Sequence, residues 1–404
     1  MNRGSPRAIS TKWTLRGGTA AALVLALLPL SCARAAARAG IEANTSFWWT
    51  VWEQAENGLT QRGSGDEAAD VASGFNFRQG RLAFSFTSDD GKIEAFLRLR
   101  LEERTDVIDF WGGWRAGDRL RVRIGQMKIP STAEVLTPDH ETDFITRSTF
   151  GRNVADYALS RTPYISSIMA ARSWDRDLGA AVELDWPSSK EPAASLFLMA
   201  SNGIGANKYI GGRESEEFVF TNSPGDLYYG MRAEFSPIPR FTAGIHASTN
   251  EHSDMALDAR GPVFDIDRSV WTVDSGILAP GGGRVYCFYG SGEMRDFHGA
   301  LEYLFDYSGW GVQGIQPLAG GALEVGARFD RFVTGFNEDG DERRRDHLTL
   351  GVNLFPADNV RVQVNYVHKE TVEEFEPDTG DDILYVNFQF FFDAALEVTA
   401  AAAD

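Results

Sequence analysis

The feature that most constrains this chain is a two-residue period, repeated in segments of about ten residues, with no apolar run of about 18 residues after residue 40. From Lys92 to Glu102, the apolar Ile93, Ala95, Leu97, Leu99 and Leu101 alternate with Glu94, Phe96, Arg98, Arg100 and Glu102. Successive side chains of a strand point to opposite faces, so all the charge falls on one face. The pattern returns over Asp177–Trp186, Tyr229–Phe235, Leu348–Leu354, Val360–Val367 and Leu384–Phe392. A membrane-spanning helix is excluded, whereas a tilted strand of about ten residues is long enough to cross a bilayer.

Two classes of connection join these segments. Short ones, rich in the Gly, Pro, Asn and Asp of tight turns, lie at Ser88–Gly91, Ala116–Asp118, Pro187–Pro192, Pro237–Arg240, Pro317–Gly321 and Pro356–Asn359. Long polar ones cover 56–72, 129–175, 202–225, 250–283, 334–344 and 370–381, with tight links at 104–105 and 307–309. The alternation predicts strands at 42–55, 73–87, 92–103, 106–116, 119–128, 176–186, 191–201 and 226–237. It continues at 240–249, 284–291, 296–306, 309–316, 321–333, 345–355, 359–369 and 381–392. The least regular stretch is 250–295, where Val270–Leu278 is an alternative strand and Arg284–Gly290 alternates poorly. The fold expected is all-β: a transmembrane antiparallel β-barrel of about 16 strands, the even count placing both ends on one side. A secreted sandwich or propeller also alternates, but charge on a strand's inner face needs water there, as in a wide barrel. Trp49, Trp52, Trp111, Trp114, Trp186, Tyr229, Trp310 and Phe392 fall near predicted strand ends, as membrane-interface girdles do.

Residues 1–39 read as a cleaved signal peptide: basic residues and no acids, an apolar run from Ala20 to Leu30, and a small-x-small site at Ala37–Ala39, with Ala33–Ala35 as an alternative cut. The barrel is then 40–392, and an Ala-rich tail, 393–404, follows the terminal aromatic Phe392 that the barrel-assembly machinery reads. Export of a barrel of this kind implies the outer membrane of a Gram-negative bacterium, with its lipid as a partner. Removing the peptide takes the net charge from −18 to −24, which excludes a nucleic-acid binder. Cys287 is then the one cysteine, so no disulfide frame is available. Six histidines with no H-x-x-x-H, CxxC or G-x-S-x-G spacing argue for neither an enzyme nor a metal or cofactor site.

The block Phe75–Pro130, with Arg-Gln-Gly-Arg at Arg78–Arg81 and Leu120-Arg-Val-Arg-Ile-Gly-Gln-Met-Lys-Ile-Pro130, resembles the start of the phosphate-selective porin O and P family. Gly309–Gly314, Leu323–Asp330, His347–Asn353, Val362–Tyr366 and Tyr385–Phe392 are similar to that family's last five strands, in order. The resemblance implies a trimeric 16-stranded barrel that passes small hydrophilic solutes and anions such as phosphate, with an inward-folded constriction loop and an arginine ladder. The loop then falls on Ile129–Asp175, which carries Arg147, Arg152 and Arg161. By alternation Arg98, Arg100, Arg121 and Arg123 face the lumen, joined by Arg81 and Arg119, as a wall suited to forked hydrogen bonds with anions. Inward carboxylates such as Glu94, Glu183, Glu234, Glu324 and Asp330 offer the opposite outcome: paired arginines in a weakly selective or cation-leaning pore. A non-conducting structural barrel is the remaining alternative.

Overall fold

A computed structural model describes residues 37–55, 74–101, 106–138, 141–151, 176–188, 192–202, 219–220, 227–256, 263–298, 301–336, 342–373 and 376–398. The strands are β1 (Ala37–Ala55), β2 (Gly74–Ser88), β3 (Ile93–Arg100), β4 (Asp106–Ala116), β5 (Leu120–Lys128), β6 (Arg176–Trp186) and β7 (Ala194–Ser201). The two-residue β8 (Val219–Phe220) precedes β9 (Tyr228–Ile238), β10 (Phe241–Ala256), β11 (Val263–Leu278), β12 (Arg284–His298) and β13 (Leu301–Leu318). Last come β14 (Leu323–Phe336), β15 (Glu342–Ala357), β16 (Val360–Glu373) and β17 (Glu376–Val398). Each wall strand pairs antiparallel with its neighbours in the chain, β7 pairs with β9, and β17 closes on β1. The result is one closed 16-stranded barrel, beside which β8 pairs with the far end of β10. A single sheet closed on itself, rather than two packed sheets, sets the sandwich alternative aside.

The alternation of the sequence becomes the two faces of this wall. Ile124, Leu198, Met231, Ile245, Val273, Val312, Leu350 and Leu354 point outward and are exposed. Asn44, Asp109, Arg232, Thr272, Asp330, Gln363, Asn365 and Asn387 point inward and are buried. Trp49, Trp114, Trp186, Tyr229, Trp310 and Phe392 are exposed large apolar side chains, as expected of a girdle, whereas Trp111 lines an inner cavity. The side chain of Trp52 lies outside the described residues. Toward the long-loop end, the outward row continues from Tyr289 and Trp310 into Arg331, which forks onto its cross-strand partner Asp346 at 2.7 Å through both nitrogens. An aromatic row passing into an ion pair on the outer face marks the edge of the apolar band. At the opposite end a turn such as 89–92 closes on itself, with Ser88 Oγ and Lys92 N donating to Asp90 at 2.7 and 3.1 Å. Those donors hold the Asp90 carboxyl below its ordinary pKa.

The strand count of 16 stands, but two boundaries behind it were displaced in opposite senses. The expected loop 250–283 contains β11, paired over its whole length with β10 and β12. The expected turn at 307–309 lies inside β13, which runs unbroken from Leu301 to Leu318. The expected long connections at 334–344 and 370–381 are largely strand too, because β14 to β17 continue past the apolar band as paired ribbons. Their outer parts are polar on both faces and so lose the period while keeping the hydrogen-bond ladder. The last strand also runs beyond Phe392: Asp393–Val398 pairs with Glu42–Ala37 of β1. Of the segment read as a signal peptide, 1–36 lies outside the described residues and Ala37–Ala39 begin β1.

If the outward face meets hydrocarbon, Leu350→Arg should destabilise the barrel by about 2–4 kcal/mol. The loss should be read as a lower urea midpoint for refolding into detergent-free lipid vesicles. An unchanged midpoint would mean that this face does not contact lipid.

Candidate functional site

The chain after β5 turns inward and crosses the lumen. Its start is bound to β5 itself: Lys128 Nζ donates to the carbonyls of Val135, Leu136 and Thr137 at 2.8, 3.1 and 3.2 Å. A cation at the carbonyl end of the single helical turn Ala133–Leu136 satisfies oxygens that the short turn leaves unpaired. Glu134, in that turn, accepts from Ser148 N at 2.8 Å and from Ser148 Oγ at 2.5 Å, tying the two limbs of the loop together.

The far wall then holds the loop through side chains reaching out of β9 and β12 to β16. Arg232 Nη1 donates to Ser131 O at 2.8 Å, and Arg328 Nη1 to Thr146 O at 2.8 Å. Asp143 is the hub at the short-turn end, where Arg284 and Gln313 bind its carboxylate while Asn353 and Gln363 donate to its carbonyl. Asn365 Oδ1 accepts from Ile145 N at 2.6 Å, and Asp330 Oδ1 from Thr149 N at 2.7 Å. Loop backbone taken out of water must find such partners, and the Asn and Gln on the inner faces of β15 and β16 provide them.

Phe150 supplies the apolar anchor. Its ring is fully buried among Val270, Phe288, Tyr307 and Phe332, stacked on Phe288 with centroids 5.4 Å apart. It rests directly on the wall at Gly290 and Gly309, where an added Cβ would come within 2.3 and 2.5 Å of the ring. These glycines are why β12 and β13 read poorly as strands: a side chain is missing where another part of the chain fills the space.

Opposite the loop stands the arginine wall. Arg98 pairs with Asp109 at 3.4 Å, and Arg176 with the same carboxylate at 2.7 Å. Glu94 takes Arg115 at 2.5 Å and Arg121 at 3.2 Å, while Glu183 takes Arg121 at 2.9 Å and Arg123 at 3.1 Å. Glu94 on β3 reaches Arg121 on β5 past Gly113, the β4 residue opposite Glu94, which has no side chain to intervene. Among the described ion pairs of this wall, five arginines share three carboxylates. The loop side is the reverse. Arg232 faces Asp274 and Glu234, Arg284 faces Asp143 and Glu324, and Arg328 faces Glu134 and Asp330. Three arginines there meet six carboxylates, two on the loop and four on the wall strands that seat it.

Of the residues expected in the ladder, Arg98, Arg121 and Arg123 come together in this network. Arg81 and Arg100 sit opposite each other in the β2–β3 register, half-buried on the same face. Arg119 departs from the expectation: it lies in the turn after β4, exposed, donating to Pro187 O at 2.7 Å with its guanidinium 4.1 Å from the Trp186 ring centre. Turn backbone does not follow strand alternation, so the inward phase fails there. Arg147 is spent inside the loop, donating to Thr137 O at 3.1 Å. Arg152 and Arg161 lie outside the described residues. Arg232, Arg284 and Arg328 hold the loop; alternation put Arg232 and Arg328 on the inner face, but nothing local in the sequence tied them to a segment about a hundred or more residues away.

Residues 304–392 match the phosphate-selective porin O and P family. That stretch covers most of β13 through Phe392 of β17, one of the two ends at which the sequence resemblance is clearest. No curated protein matches the chain in sequence. The porin fold is shared more widely. OmpT of Vibrio cholerae, in its trimer form, aligns with TM-score 0.57 at 10% identity over 88% of this chain and 100% of its own. The anion-selective porin from Comamonas acidovorans aligns with TM-score 0.53 at 11% identity over 89% of this chain and 99% of its own. The outer-membrane channel DcaP of Acinetobacter baumannii gives TM-score 0.56 at 10% identity over 90% and 99%. At such identities the likeness shows the fold, a porin barrel.

Phe150→Ala should weaken loop seating by roughly 3–5 kcal/mol, the usual loss for a buried Phe. Amide hydrogen exchange over 141–151 should accelerate, and Gly309→Leu, which evicts the same ring from the wall side, should do likewise. Unchanged protection in both variants would show that the ring does not hold the loop.

Proposed function

We propose that this chain is an outer-membrane porin: a water-filled channel for passive diffusion of small hydrophilic solutes, with a preference for anions such as phosphate. The observation that carries the preference is the wall of five arginines sharing three carboxylates opposite the inward-folded loop. Guanidinium groups only partly neutralised by neighbours raise the local anion concentration, and several weak sites in series let an ion enter and leave. Arg81, Arg98, Arg100, Arg121 and Arg123 form the ladder in this reading. The match of 304–392 to a phosphate-selective family and the fold shared with an anion-selective porin support it.

A second reading, a weakly selective pore, is favoured by the loop side, where three arginines face six carboxylates. An ion in the constriction meets both walls, and their difference decides the sign. The assembly proposed is a homotrimer, the form in which the similarly folded OmpT is described. The chain reaches the outer membrane with a cleaved signal peptide and through the barrel-assembly machinery. Of its two small-x-small sites, a cut after Ala35 leaves β1 whole, whereas a cut after Ala39 removes three residues paired with β17.

Single-channel recording of the purified protein in a planar bilayer under a KCl gradient tests the preference. A reversal potential on the chloride side, with current reduced as phosphate is added, is the expected result. Replacing both Arg121 and Arg123 with Glu exchanges two positive charges for two negative ones on that wall, and the reversal potential should move to the cation side. A near-zero potential that the double variant leaves unmoved would retire the ladder.

A further inference from the structure

Between the first limb of the loop and β3 to β7 and β9 lies a cavity of about 380 Å³. Its lining differs from the inner face of β15 to β17, where the buried residues include Thr349, Asn353, Arg361, Gln363, Asn365, Asn387 and Gln389. Here three rings, Phe96, Trp111 and Phe197, line the cavity beside Arg98 and Arg123. Phe96 and Trp111 stack with centroids 5.7 Å apart and planes 28° apart. Arg98 lies over Phe96 at 4.9 Å, and Arg123 lies over both Trp111 at 5.3 Å and Phe197 at 5.0 Å.

We infer that this cavity is a binding station for small aromatic carboxylates passing through the channel; the inference rests on the porin reading above and names a solute class for it. Rings facing a water-filled bore leave apolar surface wet, a cost that inorganic ions do not relieve. Inorganic phosphate has no apolar surface to cover those rings, so it draws on the charge of Arg98 and Arg123 alone. A flat ring bearing one carboxylate meets both demands. Its face stacks on the rings and guanidinium planes, while its charge meets the cationic side chains of the lining, Arg98, Arg123, Lys128 and Arg232 among them. The volume lies in the range of small-molecule sites, about 300–1,000 Å³.

The test is block of the chloride current of the full chain by benzoate, acetate and phosphate at matched ionic strength. Benzoate is expected to half-block at about a tenth or less of the concentration needed for acetate or phosphate. Trp111→Ala and Phe197→Ala should each weaken that block roughly threefold to tenfold, while Trp111→Phe retains most of it. Equal potency of benzoate and acetate, or stronger block by phosphate, overturns the inference and leaves the porin reading intact. If no current is seen, saturation-transfer NMR of benzoate with the folded barrel in detergent decides. A signal lost in Trp111→Ala upholds the station while sinking the channel, and no signal, or one equal in wild type and variant, removes the station.

Discussion

An open sheet edge leaves a row of unpaired N–H and C=O groups, each costing several kcal/mol inside hydrocarbon, and the closure of β1 on β17 pairs the edge that an open sheet would leave. Closure in turn sets the character of both faces of the wall. Sixteen strands enclose a lumen too wide for wall side chains to fill, so the inner face meets water and accepts charge. In the porin reading the outer face meets lipid, which fits the exposed apolar residues over the band between its aromatic and ionic edges.

The wide lumen creates the second problem, which the loop after β5 solves. Folding backbone into the bore strips its amides of water, and the far wall answers with one acceptor or donor after another, from Arg232 on β9 to Asn365 on β16. Phe150 adds burial that these polar contacts lack, in a seat that exists because β12 and β13 carry Gly290 and Gly309. Loop and wall thus share one set of constraints: side chains are absent from the wall where the loop's ring lies, and long side chains rise from it where the loop's backbone needs partners.

Most of the architecture was legible in the chain because a strand's period is local. Lys92–Glu102 shows both its faces within eleven residues. Legibility failed where locality failed. The glycines of β12 and β13 resembled turns because the ring that explains them is more than a hundred residues away, and the outer ribbons of β14 to β17 lost their period once both faces were in water. Within the site, the inward phase of Arg98, Arg121 and Arg123 followed from alternation, whereas Arg119, one residue beyond the strand, obeyed its turn.

By itself, then, the sequence determined the fold class and the strand number, since each depends on a period or a length. The tertiary structure alone decided how charge is shared. Whether an arginine faces an anion in solution or a carboxylate on the next strand depends on cross-strand register and on gaps such as Gly113. That is why, in a chain of net charge −18, arginines gather on the inner faces of β3 to β6 while most carboxylates of the far wall are engaged by the arginines that hold the loop.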